Sequence, residues 1–486
     1  MTLKKQHLVL LLIAAVLLGF AGAFFGMKIA EPEQEPAEKI QETSNAVTDG
    51  DGDGPPANMR KVVQTYNLIK NNYLEDVEDK QLIEGAIKGM VSSLEDPYSS
   101  YMDIDTMEQF NQSIESSFQG IGAEVSMVNE KVTIVSPIKD SPAEEAGLRP
   151  NDQILSVDGE SVAGLNLNEA VEKIRGEKGT EVVLEVQRSG VSEPFEVTIV
   201  RDDIPVETVY SETKSIDGKK TGVIEITSFA ENTGKHFTEQ LQKLEEENIE
   251  GLVIDVRGNP GGVLTAVEEI LENFIPKDKP YVQIENPNGE TDKSYSELEA
   301  KKPYPISVLI DEGSASASEI LAVAMKETGY DVVGKNSFGK GTVQQAVPVG
   351  EDGSRVKLTV FKWLSPDGTW IHEDGVKPTV EVEQPEHYYT NPVQVDEPLK
   401  LDETGDNIKN IQVMLNGLDY ETGRTDGYFS EKTAAAVEAF QAEHDLEVTG
   451  EVGEKTAGAI EQEVVDRIRN GKDDLQMEEA LNSLYK

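Results

Sequence analysis

Three serines alternate with small residues in Gly-Ser-Ala-Ser-Ala-Ser-Glu (313–319), and a lysine between two glycines follows in Phe-Gly-Lys-Gly-Thr-Val-Gln (338–344). A hydroxyl becomes a nucleophile when a neighbouring base takes its proton. A lysine withdrawn from water can be that base without any histidine. The chain holds five histidines, at 7, 236, 372, 387 and 444, and none falls in either segment. A Ser-Lys pair for acyl transfer therefore fits better than a Ser-His-Asp triad. Ser314, Ser316 and Ser318 compete for the nucleophile's place. Ser316 also opens a capping box completed by Glu319, at a helix start where the Ala317 N–H and the positive dipole end would meet a developing oxyanion. Gly261 and Gly262, in Ile-Asp-Val-Arg-Gly-Asn-Pro-Gly-Gly (254–262), both qualify as the second donor, because a residue without Cβ allows close backbone approach. Lys340 must be neutral to accept a proton. Bringing an amine from ~10.4 to about 7 costs about 4–5 kcal/mol at ~1.36 kcal/mol per unit. Burial supplies such a shift, and Gly339 and Gly341 permit tight walls. Gln344, four residues on, shares the face of Lys340 if the segment is a strand.

Rigid elements must hold these residues. Residues 252–256 read as a buried strand ended by the glycine-rich run, and 306–310 as a strand feeding the serine turn. A helix over 319–328 and a strand over 331–333 follow, an alternation that reads as an α/β (mixed α+β) core over 203–385. Upstream, Gly120-Ile-Gly-Ala123 opens a strand at 124–126. Ser141 to Gly147 reads as a short helix with a glycine stop, 152–159 as a strand and turn, and 167–174 as an amphipathic helix. Val62, Val63, Tyr66, Ile69 and Tyr73, then Leu82 to Leu94, recur at helical spacing, giving a helical N-terminal region over 58–113. The last stretch, from Asp474, is amphipathic through Leu475, Met477, Ala480, Leu481 and Leu484. It reads as a docking or dimer helix within 465–486.

The chain of 486 residues is multidomain in length. Its 91 acidic residues against 44 basic ones give a net charge of −47, a field that repels nucleic acid and suits a heavily hydrated surface. It contains no cysteine, which excludes disulfides, thiolate metal sites, a cysteine nucleophile and a lipoprotein anchor. Lys4 and Lys5 precede an uncharged apolar run over 8–25, so 1–27 reads as a membrane anchor or signal segment. Ala21-Gly22-Ala23 resembles a cleavage site, from which the chain would be released. The run continues through Phe24, Phe25 and Met27, which favours an uncleaved single-pass anchor. The lysines favour a cytoplasmic N-terminus and export of the rest to the cell-wall side of the membrane. Residues 28–57 read as an acidic disordered linker. Asp49-Gly-Asp-Gly-Asp-Gly54 starts like a calcium loop but meets Arg60 at the twelfth position, so no metal is expected there.

The serine and lysine segments resemble those of the carboxy-terminal processing, or tail-specific, proteases exported by Gram-positive bacteria. Residues 254–262, Asp-Pro-Tyr-Ser-Ser-Tyr-Met (96–102) and Phe-Gln-Gly-Ile-Gly-Ala (118–123) match that family's patterns in the same order. The resemblance implies a serine endopeptidase with Ser316 as nucleophile, Lys340 as base and Gln344 orienting the lysine, with no cofactor. It implies a PDZ domain over 114–202 whose Gly120, Ile121, Gly122 and Ala123 hold the free C-terminus of a protein or peptide substrate. Arg175 would couple that domain to the site. The region 58–113 contributes to dimer contacts in the family, so a homodimer is expected. Residues 396–464 resemble a peptidoglycan-binding module through Gly405 to Gln412, Asp426-Gly-Tyr-Phe429, Thr433, Phe440-Gln441 and Thr456. The spacing from Ser316 to Lys340 is one residue shorter than in some relatives, a change that falls in the connection at 328–331. The competing expectation is a non-catalytic cell-wall scaffold built on the PDZ domain.

Overall fold

The computed structural model describes residues 59–115, 117–128, 131–188, 191, 193–395 and 397–486. Among these residues no helix is long and apolar enough to cross a membrane. The segment expected as anchor or signal over 1–27 and the linker over 28–57 lie outside them. The chain divides into two compact units at Ser93/Leu94. The helical region expected over 58–113 is split by that boundary. Helices Arg60–Asn72 and Asp79–Ser92 fall in the first unit, with Val62, Val63 and Ile83 exposed. Strand Ser100–Met102 and helix Ile104–Ile114 belong to the second.

In the second unit, six antiparallel strands form one sheet, five of them in the order Ala123–Val128, Lys131–Pro137, Gln153–Val157, Glu181–Gln187, Phe195–Val200, with Glu160–Ser161 paired to Gln153–Val157 off that path. The β-branched alternation of Glu181–Gln187 puts Val182, Leu184 and Val186 into a core shared with Ile134, Ala170 and Ile199. Helix Leu167–Ile174 is closed by a complete capping box between Asn166 and Glu169. At its other end the buried Arg201 donates from Nε to Ile174 O at 2.8 Å. Strand Ala123–Val128 is an edge of the sheet, so one side of its backbone is open to an added strand.

A second sheet runs Val209–Ile216, Lys219–Ile226, Gly251–Asp255, Ile306–Ile310, Asp331–Gly334, Val380–Glu381 and is parallel from its second strand onward. Its central strands are buried on both faces, in keeping with their mainly apolar runs. Leu252 and Ile254 point towards helices Thr233–Glu246, Leu264–Leu271 and Ala317–Thr328, in a core with Phe237, Ile270 and Leu321. Val253 points the other way, with Val223, Leu309 and Val333. Ala480, Leu481 and Leu484, in and just after helix Leu475–Ser483, cover that face. The amphipathic segment expected as a docking or dimer element thus docks on the protein's own sheet, supplying its second helical layer.

A further sheet joins Ser100–Met102, Thr342–Pro348, Arg355–Leu364, Pro280–Glu285 and Thr291–Tyr295. Residues 406–469 carry three helices, Asp406–Gly417, Glu431–Glu443 and Glu454–Arg469, around Leu415, Phe440 and Ile460. The last helix passes the expected boundary at 464 because Val464 and Ile468 still belong to that core. The buried amides of Gln412 and Gln441 play matching parts: each accepts from a glycine N–H, Gly427 or Gly450, and donates to a threonine, Thr433 or Thr456.

Candidate active site

The carboxyl ends of two neighbouring parallel strands build the site, which is where open parallel sheets place their ligands. Strand Gly251–Asp255 runs into loop 257–262, and Ile306–Ile310 into the turn that ends at Ser316. Ser316 has φ +55° and ψ −111°, a conformation that costs a residue with a Cβ on the order of 1–3 kcal/mol. The chain turns there from strand to helix Ala317–Thr328, as a nucleophile elbow does. The two flanking serines are fully buried and tied to backbone. Ser314 Oγ donates to Val256 O at 2.8 Å, and Ser318 Oγ donates to Asn259 O at 2.9 Å. Only Ser316 of the three lines the cleft, a cavity of about 450 Å³.

Loop 257–262 is held against this elbow. A Cβ on Gly261 would lie 2.8 Å from Ser316 Cβ and 3.0 Å from Ala317 N, and one on Gly262 only 2.1 Å from Phe229 O. Both glycines have positive φ, at +100° and +147°. Their N–H groups differ in employment. That of Gly261 donates to the buried Asn259 Oδ1 at 2.8 Å, while Asn259 O accepts from Ala315 N at 3.0 Å. Among the described residues, the N–H groups of Gly262 and Ala317 have no acceptor in the protein.

Lys340 lines the same cleft. Burial pushes its amine below the usual lysine value and the Lys357 charge acts in the same direction, against the opposing carboxylates of Glu319 and Asp96. Its ammonium lies 5.1 Å from the centre of the Tyr98 ring. The flanking glycines are needed: a Cβ on Gly339 would come within 3.0 Å of the Glu373 backbone, and one on Gly341 within 2.8 Å of Trp370 Nε1. Gln344 also lines the cleft, but not through strand alternation with Lys340. The strand begins at Thr342, and its register slips between Val343 and Gln344. Gln344 Nε2 donates to Thr342 Oγ1 at 2.9 Å and to Thr359 Oγ1 at 3.1 Å.

Sequence reasoning missed the residue that joins the two halves. Glu319 is fully buried, and its carboxylate accepts from Ser316 N at 2.8 Å, Ser337 Oγ at 2.5 Å, Gly339 N at 2.6 Å and Lys340 N at 2.8 Å. Its place in the capping box was legible, but its reach to the lysine loop was not. The 96–102 segment was recognised without a role. In the structure Asp96 accepts from Ser99 Oγ, Ser99 Oγ accepts from Thr359 N at 3.0 Å, and Tyr98 walls the lysine. Phe110 and Ile114 of helix Ile104–Ile114 also line the cleft.

At the edge of the first sheet, Gly122 has φ +76°, and a Cβ there would lie 2.4 Å from Ser141 Cβ. The carbonyls of this loop are occupied: Ile121 O accepts from Ala143 N, and Gly122 O from Ser141 Oγ and Ile138 N. Ile121 itself is buried in the core, Gly120 ends strand Ser117–Gly120 and Ala123 begins the edge strand. Arg175, just after helix Leu167–Ile174, stacks its guanidinium 5.2 Å from the centre of the Phe118 ring.

Comparison with known proteins agrees with this layout. The profile of peptidase family S41 matches residues 220–382, and that of the activating protease CtpB N-terminal domain matches 16–106. A PDZ domain profile matches 133–188, and a peptidoglycan binding domain profile matches 404–460. The chain is 48% identical over 484 residues to the carboxy-terminal processing protease CtpB of Bacillus subtilis (strain 168), covering 99% of this chain and all of that one. It is 43% identical over 427 residues to the carboxy-terminal processing protease CtpA of the same strain, covering 88% of this chain and 90% of that one.

Proposed function

The chain belongs to the carboxy-terminal processing serine proteases of peptidase family S41, and from that premise we propose how its own residues divide the work. Ser316 Oγ attacks the scissile carbonyl and gives its proton to neutral Lys340 Nζ. The oxyanion is held by the N–H groups of Ala317 and Gly262; Gly261 is set aside because its N–H is already given to Asn259. The Lys340 ammonium then protonates the leaving amine. A water, deprotonated by the same amine, releases the acyl group. Gln344, its amide nitrogen held by Thr342 and Thr359, is assigned the part of orienting the lysine. One observation carries this reading: a strained serine at a helix start shares a cleft with a lysine whose proton burial has loosened.

The loop Gly120–Ala123 would hold a substrate's terminal carboxylate on the N–H groups of Ile121 and Gly122. The tail would add as a strand beside Ala123–Val128. Arg175, on Phe118 beneath that loop, would report occupancy to the cleft. The peptidoglycan-binding module suits association with the cell wall. We place residues 1–27 as a membrane anchor with the catalytic part outside, and the active form as a homodimer. The deciding experiment incubates the purified chain with matched peptides, one free and one amidated at the C-terminus, and maps fragments by mass spectrometry. Amidation weakens PDZ binding by ~1.5–3 kcal/mol, the value of a charge-assisted hydrogen bond. Equal cleavage of both peptides removes the tail-recognition reading. Full activity in Ser316→Ala removes the nucleophile.

A further inference from the structure

Covering the back of the core sheet needs only the apolar side of helix Leu475–Ser483, yet the residue that caps it makes a more specific connection. Asp474 accepts from Met477 N at 3.0 Å as an N-cap. The same carboxylate takes two hydrogen bonds from Arg257, Nη1 to Oδ1 and Nη2 to Oδ2, each 2.9 Å. Arg257 pairs on its other edge with Asp255, through Nε at 2.9 Å and Nη2 at 2.6 Å, and Nη1 also reaches Gln476 Oε1 at 3.2 Å. All five N–H groups of the guanidinium are engaged, which fixes its plane as well as its position. Gln384 adds a brace, donating from Nε2 to Asp474 Oδ1 at 2.7 Å and accepting from Leu475 N at 3.0 Å.

Arg257 is the root of loop 257–262. The rest of that loop is tied to the elbow and to segment 226–229: Gly258 N to Asp311 Oδ1 at 2.7 Å, Asn259 O to Ala315 N and Ser318 Oγ, Asn259 Nδ2 to Ile226 O at 2.7 Å, and Phe229 N to Gly261 O at 3.0 Å. Arg257 alone in the loop is gripped by the helix on the opposite face of the sheet. We propose that Asp474, acting through Arg257, is a positioning residue of the catalytic centre, setting where Gly262 presents its N–H. The proposal rests on the reading of that N–H as an oxyanion donor. With the Asp474 charge removed, the root of the loop keeps Asp255 as its one charged partner, with the neutral Gln476 beside it, and a displacement of under about 1 Å is enough to misaim a donor.

The test uses the full chain carrying Asp474→Asn, which can still cap the helix, with Asp474→Glu as the conservative rescue. Four quantities are read: kcat and KM on a peptide, the inhibition constant of a peptide boronic acid that forms a tetrahedral adduct on the Ser316 oxygen, and peptide affinity in a Ser316→Ala background. Asp474→Asn lowers kcat about tenfold or more and weakens the boronate by a similar factor, while KM and peptide affinity stay within about twofold. Asp474→Glu recovers part of both losses. Should Asp474→Asn unfold the core, Arg257→Lys keeps the charge without the two-sided fork and shows the same split. Unchanged kcat overturns the proposal and leaves the oxyanion reading standing. A fall in kcat with undiminished boronate binding also overturns it, since Asp474 then acts elsewhere. A wild-type chain that binds the boronate no better than Ser316→Ala removes the catalytic reading itself, and the proposal with it.

Discussion

Arg257 and Lys340 are two cations withdrawn from water within one protease core, and their surroundings are opposite. Burial alone would push the Arg257 guanidinium down, but the carboxylates of Asp255 and Asp474 outweigh it and hold the group above its usual range. Around Lys340 burial prevails and Lys357 reinforces it, so the amine falls below its usual value. Desolvation penalises both charges, and the protein answers it in two ways. Where a charge is to stay, every donor is given an acceptor. At the lysine to which we assign proton transfer, the ammonium is left over the Tyr98 ring, and among the described residues it has no hydrogen-bond or ion-pair partner.

The largest effect expected from disturbing this contrast is on catalysis. Lys340→Ala and Ser316→Ala each lower peptide cleavage by at least ~10³-fold, and the double variant loses little more, because the two act as one unit. Fragment mapping on an unfolded substrate measures it; additive losses would mean that the lysine is not the base. Next comes Arg257→Met, which strands two neighbouring carboxylates and costs about 3–5 kcal/mol. A variant that melts like the parent would show that the paired cation is ornamental.

Lys340→Met tests the opposite sign. A lowered lysine value means that the unfolded chain binds more protons than the folded one, between the lowered value and 10.5. Stability therefore rises with pH across that window, and the charged lysine is a burden at lower pH. Lys340→Met raises the melting temperature of the inactive core by roughly 2–4 °C, the equivalent of about 1 kcal/mol. The gain is full below the window and fades as pH climbs through it. In the active chain kcat/KM rises with pH through one ionisation lying below 10.5, as the base loses its proton. A gain in stability that grew with pH would contradict the assignment. Salt separates the two cations from the surface least forcefully. Raising it to about 1 M shortens the screening length to ~3 Å and lifts the melting temperature by a few degrees, by relieving a net charge of −47.

What could be read in advance follows how far apart the partners lie along the chain. That Ser316 and Lys340 would share a cleft was legible because each carries its signature within a few residues. The PDZ elements were legible because their order and periods are local; helix Leu167–Ile174 falls where its periodicity puts it. The choice between Gly261 and Gly262 was not legible, because it turns on where one asparagine side chain points. Nor was the hub role of Glu319, whose acceptors serve donors up to 21 residues away. Arg257 and Asp474 lie 217 residues apart, and no local pattern joins them. The amphipathic face at 475–484 was visible, but the sheet that it covers was not, since an apolar stripe does not name its partner. The register slip at Gln344 was hidden for a related reason: alternation in a sequence cannot reveal where a strand drops a step.

The backbone of Ser316 has one last implication, for how such a chain can decay. At φ +55° and ψ −111° glycine would rest without penalty, and serine does not. Ser316→Gly should therefore yield a dead enzyme that is harder to unfold than the living one. A lineage in which cleavage had ceased to matter would drift towards that exchange, because nothing but the hydroxyl favours the strained residue.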